Sequence, residues 1–508
     1  MKSQQNRTAF SGGPWNRCKI GMALMFVAVG ASLGLNAPNQ PLEEMGPMQD
    51  GQGKQNGTFH DQVNDLFGLS RSELMTLDIE AAADLSMVIP IVIDGQPTTL
   101  ELQAHSVRSP LYQLRAQVAG GSIVDVDPGP ERTVRGTLLG MAESKVAGSL
   151  LDDGLHAVIL PGNGERLWLE PVRMVMPNAA ANLYVLYDSL DVISQGGTCG
   201  VTDQWMQRNP PVVPQGEGGD EGGIAGTVLY CVDLGVDADV EYYVARGSNV
   251  TNVQNQVNLI INTVNLQYEA EVDIKHVITN ILVRTVEPDP YSSTNSSTLL
   301  NQFAAEWNAN QGSIVRDVAH LFTGKQVDGD VIGIASLSAI CQTNGYSLVQ
   351  SDFNGVGGSL ACKSDLSSHE LGHNWSATHC ACTSNTMNPS ITCANVHAAG
   401  SITQIVNHRN SRTCLAPCED AFTTLPFNDD FPSTTIDLSK WTGIQGALSN
   451  TTGTNEPSAP NSLNLDGSSL GGDQVRSAKI NTASLGALTL SFQFQRGGGA
   501  NSPESNDD

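Results

Sequence analysis

Three histidines and a glutamate fall within eleven residues in the stretch "SSHELGHNWSATHC", Ser367 to Cys380. No other feature of the chain restricts its local fold so closely. His369 and His373 are four residues apart, so on an α-helix their rings share one face, about 5–6 Å apart at Cβ. Both ring nitrogens can then reach one ion at about 2.0–2.1 Å. Glu370 follows the first histidine and can reach a water activated by that ion without itself binding it. His379 lies six residues beyond His373. A continuing helix would carry it several ångströms up the axis, so the chain must turn back to bring it in. Three neutral histidines with one open position describe a catalytic zinc site rather than a closed structural one, with Glu370 as general base. The competing reading is a helix whose histidines satisfy unrelated hydrogen bonds, and the third histidine argues against it.

The compartment follows from the N-terminus and the cysteines. Arg17 and Lys19 precede the apolar run Ile20–Leu35, which is short for a membrane span and is followed by Pro/Gln/Gly-rich sequence. Residues 1–37 therefore read as an export signal peptide, with an uncleaved anchor as the alternative. No later segment is long and apolar enough to span a membrane, so a secreted, extracellular protein is expected. Ten cysteines fit an oxidising space. Cys18 goes with the signal and Cys199 stands alone. The remaining eight, Cys231, Cys341, Cys362, Cys380, Cys382, Cys393, Cys414 and Cys418, suit a disulfide framework, whose 105 conceivable pairings the sequence does not resolve. The net charge of −26 argues against nucleic acid or an anionic membrane as partner. The oligomeric state is not readable. Calcium stays open as a second ion because aspartates are plentiful, although no loop has EF-hand or Gly-Asp repeat spacing.

A chain of 508 residues exceeds one hydrophobic core, and its composition divides it. Residues 38–84 are expected to be disordered. Residues 85–208 are β-rich, with "MVIPIVIDG", "TTLELQAHSV", "HAVILPG" and "RLWLEPV" separated by turn residues. Residues 209–226, "NPPVVPQGEGGDEGGIAG", have the composition of an exposed linker open to proteolysis. Residues 227–418 alternate strand and helix, which predicts an α/β domain with a mostly parallel twisted sheet. In "NVTNVQNQVNLIINTVNLQYEA" one helical face carries Val253, Val257, Ile260, Ile261 and Val264. Residues 419–508 return to short strands and read as a partial β-sandwich.

The zinc segment resembles the extended motif of metzincin metalloproteases, H-E-x-x-H-x-x-G-x-x-H followed by a Met-turn, with Met387 in "SNTMNPS" in the place of the turn methionine. Within metzincins it is most similar to the adamalysin/reprolysin (ADAM-type) group, through "DVAHLFTG", "DGDVIGIASLSAIC" and "ITQIVNHRNSRTCL". The likeness extends over about residues 83–418, the β-rich region resembling that group's propeptide. It implies a zinc endopeptidase acting on protein or peptide substrates, with His369, His373 and His379 as ligands and Glu370 as base. A secreted binding or adhesion protein with an inactive domain is the competing function, and the intact Glu370 argues against it. Two positions depart from the family. Its glycine falls on Ser376, where a positive φ would strain a side chain by about 1–2 kcal/mol, and its Asp after the third histidine is Cys380. "GGTCGVTDQ" resembles the cysteine switch of metzincin propeptides. The resemblance implies that Cys199 occupies the open zinc position and keeps the precursor latent; a free buried thiol or a disulfide is the other possibility.

Overall fold

In the computed structural model of the protein, the described residues are 57–194, 196–202, 228–350 and 359–418, followed by 428–437, 440–445, 447–451, 461–465 and 474–477. The signal segment 1–37, the linker 209–226 and the expected strand "ALTLSFQFQRGGG" lie outside them. No helix among the described residues is long and apolar enough to cross a membrane.

The expectation of disorder over 38–84 fails where that segment is described. Helix α1 (Phe59–Phe67) begins with a capping box between Thr58 and Asp61 and ends on Gly68 at φ 72°, which satisfies both helix ends locally. It buries Val63 and Phe67, and strand β1 (Glu73–Thr76) follows. The Gln/Gly-rich composition behind the expectation simply ends before this helix starts.

The β-rich region continues with β2 (Met87–Ile93), β3 (Gln96–Ala104), β4 (Arg108–Gln117), β5 (Ile123–Val126), β6 (Thr133–Leu138), β7 (Met141–Leu151), β8 (Gly154–Leu160), β9 (Leu167–Pro171) and β10 (Leu183–Asp188). Eight strands form one antiparallel sheet in the order β1-β10-β9-β8-β7-β6-β3-β2. Alternation along β2 buries Met87, Ile89 and Ile91, which pack with Leu100, Leu102, Leu155 and Leu169. Strands β4 and β5 leave this sheet and join the next one, an excursion that the β-rich composition did not reveal.

The second sheet is built from β11 (Thr198–Cys199), β12 (Tyr230–Ala238), β13 (Ile274–Arg284), β14 (Val318–Thr323), β15 (Val331–Ala335) and β16 (Tyr346–Gln350), with β17 (Ala416–Pro417) against β12. Its order is β11-β15-β16-β14-β12-β13-β4-β5. The β12, β13, β14 and β16 pairings are parallel, as the βα alternation predicts, whereas β15 runs antiparallel to β16. The accompanying helices are α2 (Val240–Ala245), α3 (Val250–Glu271), α4 (Ser296–Asn310), α5 (Leu360–Asn374) and α6 (Ala399–Asn410).

Helix α3 positions the two sheets. Its predicted apolar face, Val253 to Val264, is buried, but so are Gln254, Asn258, Asn262 and Asn265. The antiparallel sheet covers what reads in sequence as a solvent face. Asn262 Nδ2 donates to the Val134 and Gly148 carbonyls at 3.1 and 2.9 Å, and Arg135 Nε donates to Asn262 Oδ1 at 2.7 Å. These bonds satisfy polar groups that would otherwise be costly to bury.

The eight cysteines of the α/β region pair as Cys231–Cys418, Cys341–Cys414, Cys362–Cys393 and Cys380–Cys382, leaving Cys199 free. Cys380, the departure from the family pattern, is thus tied within its own loop. Beyond residue 418, β18 (Trp441–Gln445), β19 (Ala447–Asn450), β20 (Ser462–Leu465) and β21 (Gln474–Ser477) form two antiparallel ladders, β18 with β21 and β19 with β20.

Candidate active site

The HELGH stretch lies in the last two turns of α5, which is buried along nearly its whole length. His369 and His373 project from one face, as their spacing requires. The helix stops at Asn374 and the backbone reverses at Ser376, at φ 80°. That left-handed residue is where the family has glycine, and it brings His379 back. Ser376 Oγ accepts from Ser338 Oγ at 2.8 Å, a bond that glycine could not make.

The three Nε2 atoms stand 3.1, 3.2 and 3.3 Å apart. Nδ1 of His369 lies 2.6 Å from the Thr386 carbonyl, and Nδ1 of His373 lies 2.7 Å from that of Ala377. A carbonyl only accepts, so Nδ1 carries the proton in both rings and Nε2 presents a lone pair. Burial holds the imidazoles neutral, pushing His369 down to about 3 and His373 well below its ordinary value. The lone pairs of His369 and His373 face each other at 3.1 Å and repel unless a cation sits between them. Tetrahedral Zn–N bonds of about 2.05 Å would separate the nitrogens by about 3.3 Å, so the donor set fits zinc. His320 shows the contrast with a core histidine: its two nitrogens meet Ser347 Oγ at 2.8 Å and Ser367 Oγ at 3.3 Å.

Met387 is fully buried beneath the site. A Cβ at Gly372 would lie 2.5 Å from its Sδ, so the helix needs glycine between the histidines for this approach. The chain around Met387 is held by Asp365, one turn before His369 on α5. Asp365 accepts from Thr386 Oγ1 at 2.7 Å and from the Asn395 and Ala394 amides at 2.9 and 3.2 Å. Thr386 thereby offers its carbonyl to His369. Asp365 did not stand out in the sequence, because the hydrogen-bond chain connecting it to a ligand exists only in three dimensions.

Glu370 is buried, and burial raises its carboxyl well above the usual range. Its Oε2 lies 3.6 Å from Cys199 Sγ, which is also 3.4 Å from His373 Nε2. Cys199 and the three histidines thus place four ligand atoms within 4.8 Å of one another. Burial and Glu370 raise the thiol's pKa; a dication among these atoms would reverse that order and favour the thiolate. The segment carrying Cys199 fills a slot. On one side the Thr198 and Gly200 amides donate to the carbonyls of Asp330 and Gly333; on the other the Cys199 amide donates to Pro389, and Ile391 donates to Gly197. The chain runs parallel to β15. Elsewhere, carboxylates of Glu241, Glu287 and Asp289 also lie within 4.8 Å of one another, with Lys325 paired to Glu241.

Residues 229–418 match the model of a reprolysin family described as metallo-peptidase family M12. The match takes in β12 through β17, the three histidines, Glu370 and Met387. That segment, with its converging histidine triad, is a reprolysin-type metallopeptidase domain of family M12.

Proposed function

We propose that the protein is a secreted zinc-dependent endopeptidase made as a latent precursor, with residues 85–208 as prosegment, 209–226 as the processed linker and 227–418 as the catalytic domain. The convergence of three Nε2 atoms with Cys199 Sγ beside Glu370 carries this reading. His369, His373 and His379 would hold the ion. Zinc, when bound, supplies Lewis acidity that lowers the pKa of a water and polarises the scissile carbonyl. Glu370 accepts the proton of the attacking water and passes it to the leaving amine. Thr386 and Ala377 hold the two ring protons away from the ion. In the precursor Cys199 takes the position the water needs, and its segment fills the groove beside β15 where an extended substrate would lie. The disulfide-rich domain suits an extracellular setting, and the strands after residue 418 would open a β-sandwich that aids target binding.

Glu370→Gln in the processed enzyme should keep near-stoichiometric zinc but lose roughly 10²–10⁴-fold in casein or peptide hydrolysis, while His373→Ala should lose both. Unchanged turnover in Glu370→Gln would remove the assigned base. Uncleaved Cys199→Ala precursor should show activity above the wild-type precursor and below the processed enzyme; latency equal to wild type would leave a purely steric prosegment.

A further inference from the structure

Helix α5 begins without a cap of its own. Its N-cap, Ser359, makes no side-chain capping bond, so the first amides of the helix need partners from elsewhere. The Leu360 amide donates to Oε1 of Glu170 at 3.1 Å. Glu170 comes from β9 of the antiparallel sheet and is fully buried. Its Oε1 also accepts from the Tyr187 hydroxyl at 2.5 Å. Its Oε2 has no hydrogen-bond partner, and the nearest charged group is His156 Nδ1 at 3.6 Å. His156 is in turn 3.0 Å from Asp153 through Nε2. A buried carboxylate is costly unless compensated. Here the compensation comes from a helix N-terminus with its positive dipole end, a tyrosine and a histidine.

We propose that Glu170 is a second latch, a positioning residue through which the prosegment grips the zinc-site helix at its N-terminus while Cys199 blocks its catalytic end. The proposal rests on the latent-precursor reading above. Leu360 and His369 are nine residues apart on one helix, about 14 Å along the axis. The two contacts therefore act on one rigid element at separate points, and loss of the thiol contact alone leaves the helix gripped by Glu170. When the prosegment departs, the Leu360 amide loses its acceptor.

The test uses full-length, uncleaved precursors: wild type, Cys199→Ala, Glu170→Leu, Cys199→Ala/Glu170→Leu, and Cys199→Ala/Glu170→Gln. Peptide hydrolysis, zinc content and backbone amide exchange are measured on each. Loss of a charge-assisted bond at the helix start should make Cys199→Ala/Glu170→Leu about ten-fold more active than Cys199→Ala. The glutamine form, which keeps an acceptor oxygen, should restore most of the latency. Exchange should rise at residues 360–363 in Glu170→Leu while the strands of the prosegment sheet stay protected. Equal activity in the double and single variants overturns the proposal, as does increased exchange throughout the sheet, which would make Glu170 merely structural. If Cys199→Ala is as latent as wild type but Cys199→Ala/Glu170→Leu is active, the thiol reading fails and the Glu170 latch stands. Should the leucine form not fold, Cys199→Ala/Tyr187→Phe removes one donor to Glu170 and should be about three-fold more active than Cys199→Ala; no increase overturns the proposal.

Discussion

Both edges of the mixed sheet are closed by strands that precede residue 203, in different ways. At the far edge, β4 lies parallel to β13 and pairs continuously from Gln113 against Asn280 to Gln117 against Arg284. Leu114, Ala116 and Gln117 are buried there. Gln117 Oε1 accepts from Arg284 Nη1 at 2.8 Å, within a buried network where Arg284 also binds Asp237. At the site edge, β11 is only the two residues Thr198 and Cys199 against β15. Its amides are shared between two walls, and its one reactive group faces the histidines. Apolar burial and continuous pairing at the far edge provide holding strength. The short site-edge strand contributes little burial but occupies the chemistry. On the latent-precursor proposal, holding and inhibition fall to different edges of one sheet, so that a small local change would release the site without dismantling the interface.

Leu114→Asp would break the comparison most severely, because it places a carboxylate in the far-edge core. It should destabilise the precursor by about 4 kcal/mol, whereas Cys199→Ala should change stability by less than about 1 kcal/mol. Denaturant melts of the two uncleaved variants measure this, and a Cys199→Ala loss as large as that of Leu114→Asp would erase the division of labour.

His156 provides a smaller effect that varies with pH. Asp153 and Glu170 flank it, Tyr187 bonds Glu170, and Lys363 of α5 acts on Asp153. Burial opposes its charge, but the two carboxylates prevail and raise its pKa to about 9. A group whose folded pKa is raised stabilises fully below its ordinary value near 6.5 and loses that contribution as pH climbs through about 9. The contribution is at most roughly 3 kcal/mol. The Tm difference between wild type and His156→Gln precursors should therefore shrink between pH 7 and pH 9.5. A gap that widens over this range would place the proton elsewhere.

The smallest effect sharpens the site edge itself. Ser376 combines a left-handed backbone with a hydrogen bond to Ser338, which follows β15. Ser376→Gly relieves the first and loses the second, so its stability should stay within about 1 kcal/mol of wild type. Ser376→Ala keeps the strain and loses the bond, and should cost about 1 kcal/mol. Equal losses in the two variants would mean that the φ strain is negligible there.

His369, Glu370, His373 and His379 were legible from sequence because their spacing is a property of helix geometry, and the reversal at Ser376 followed from the need to return the third ring. The alternation of strands and helices after residue 227 likewise comes from local apolar periodicity, as does the apolar face of α3. Parity separated Cys199 from eight other cysteines, but only the tertiary structure selected one of the 105 pairings and set the thiol beside His373. Local pattern could not disclose that the polar face of α3 is buried, since asparagine in an interface and asparagine in water look alike until the partner carbonyls of Val134 and Gly148 are in place. Nor could it disclose that β4 leaves its neighbours for the other sheet, that Asp365 on the site helix holds Thr386, or that Glu170 meets the start of that helix. Those contacts join residues far apart in the chain, and their energies depend on burial and partners that exist only once the sheets have packed.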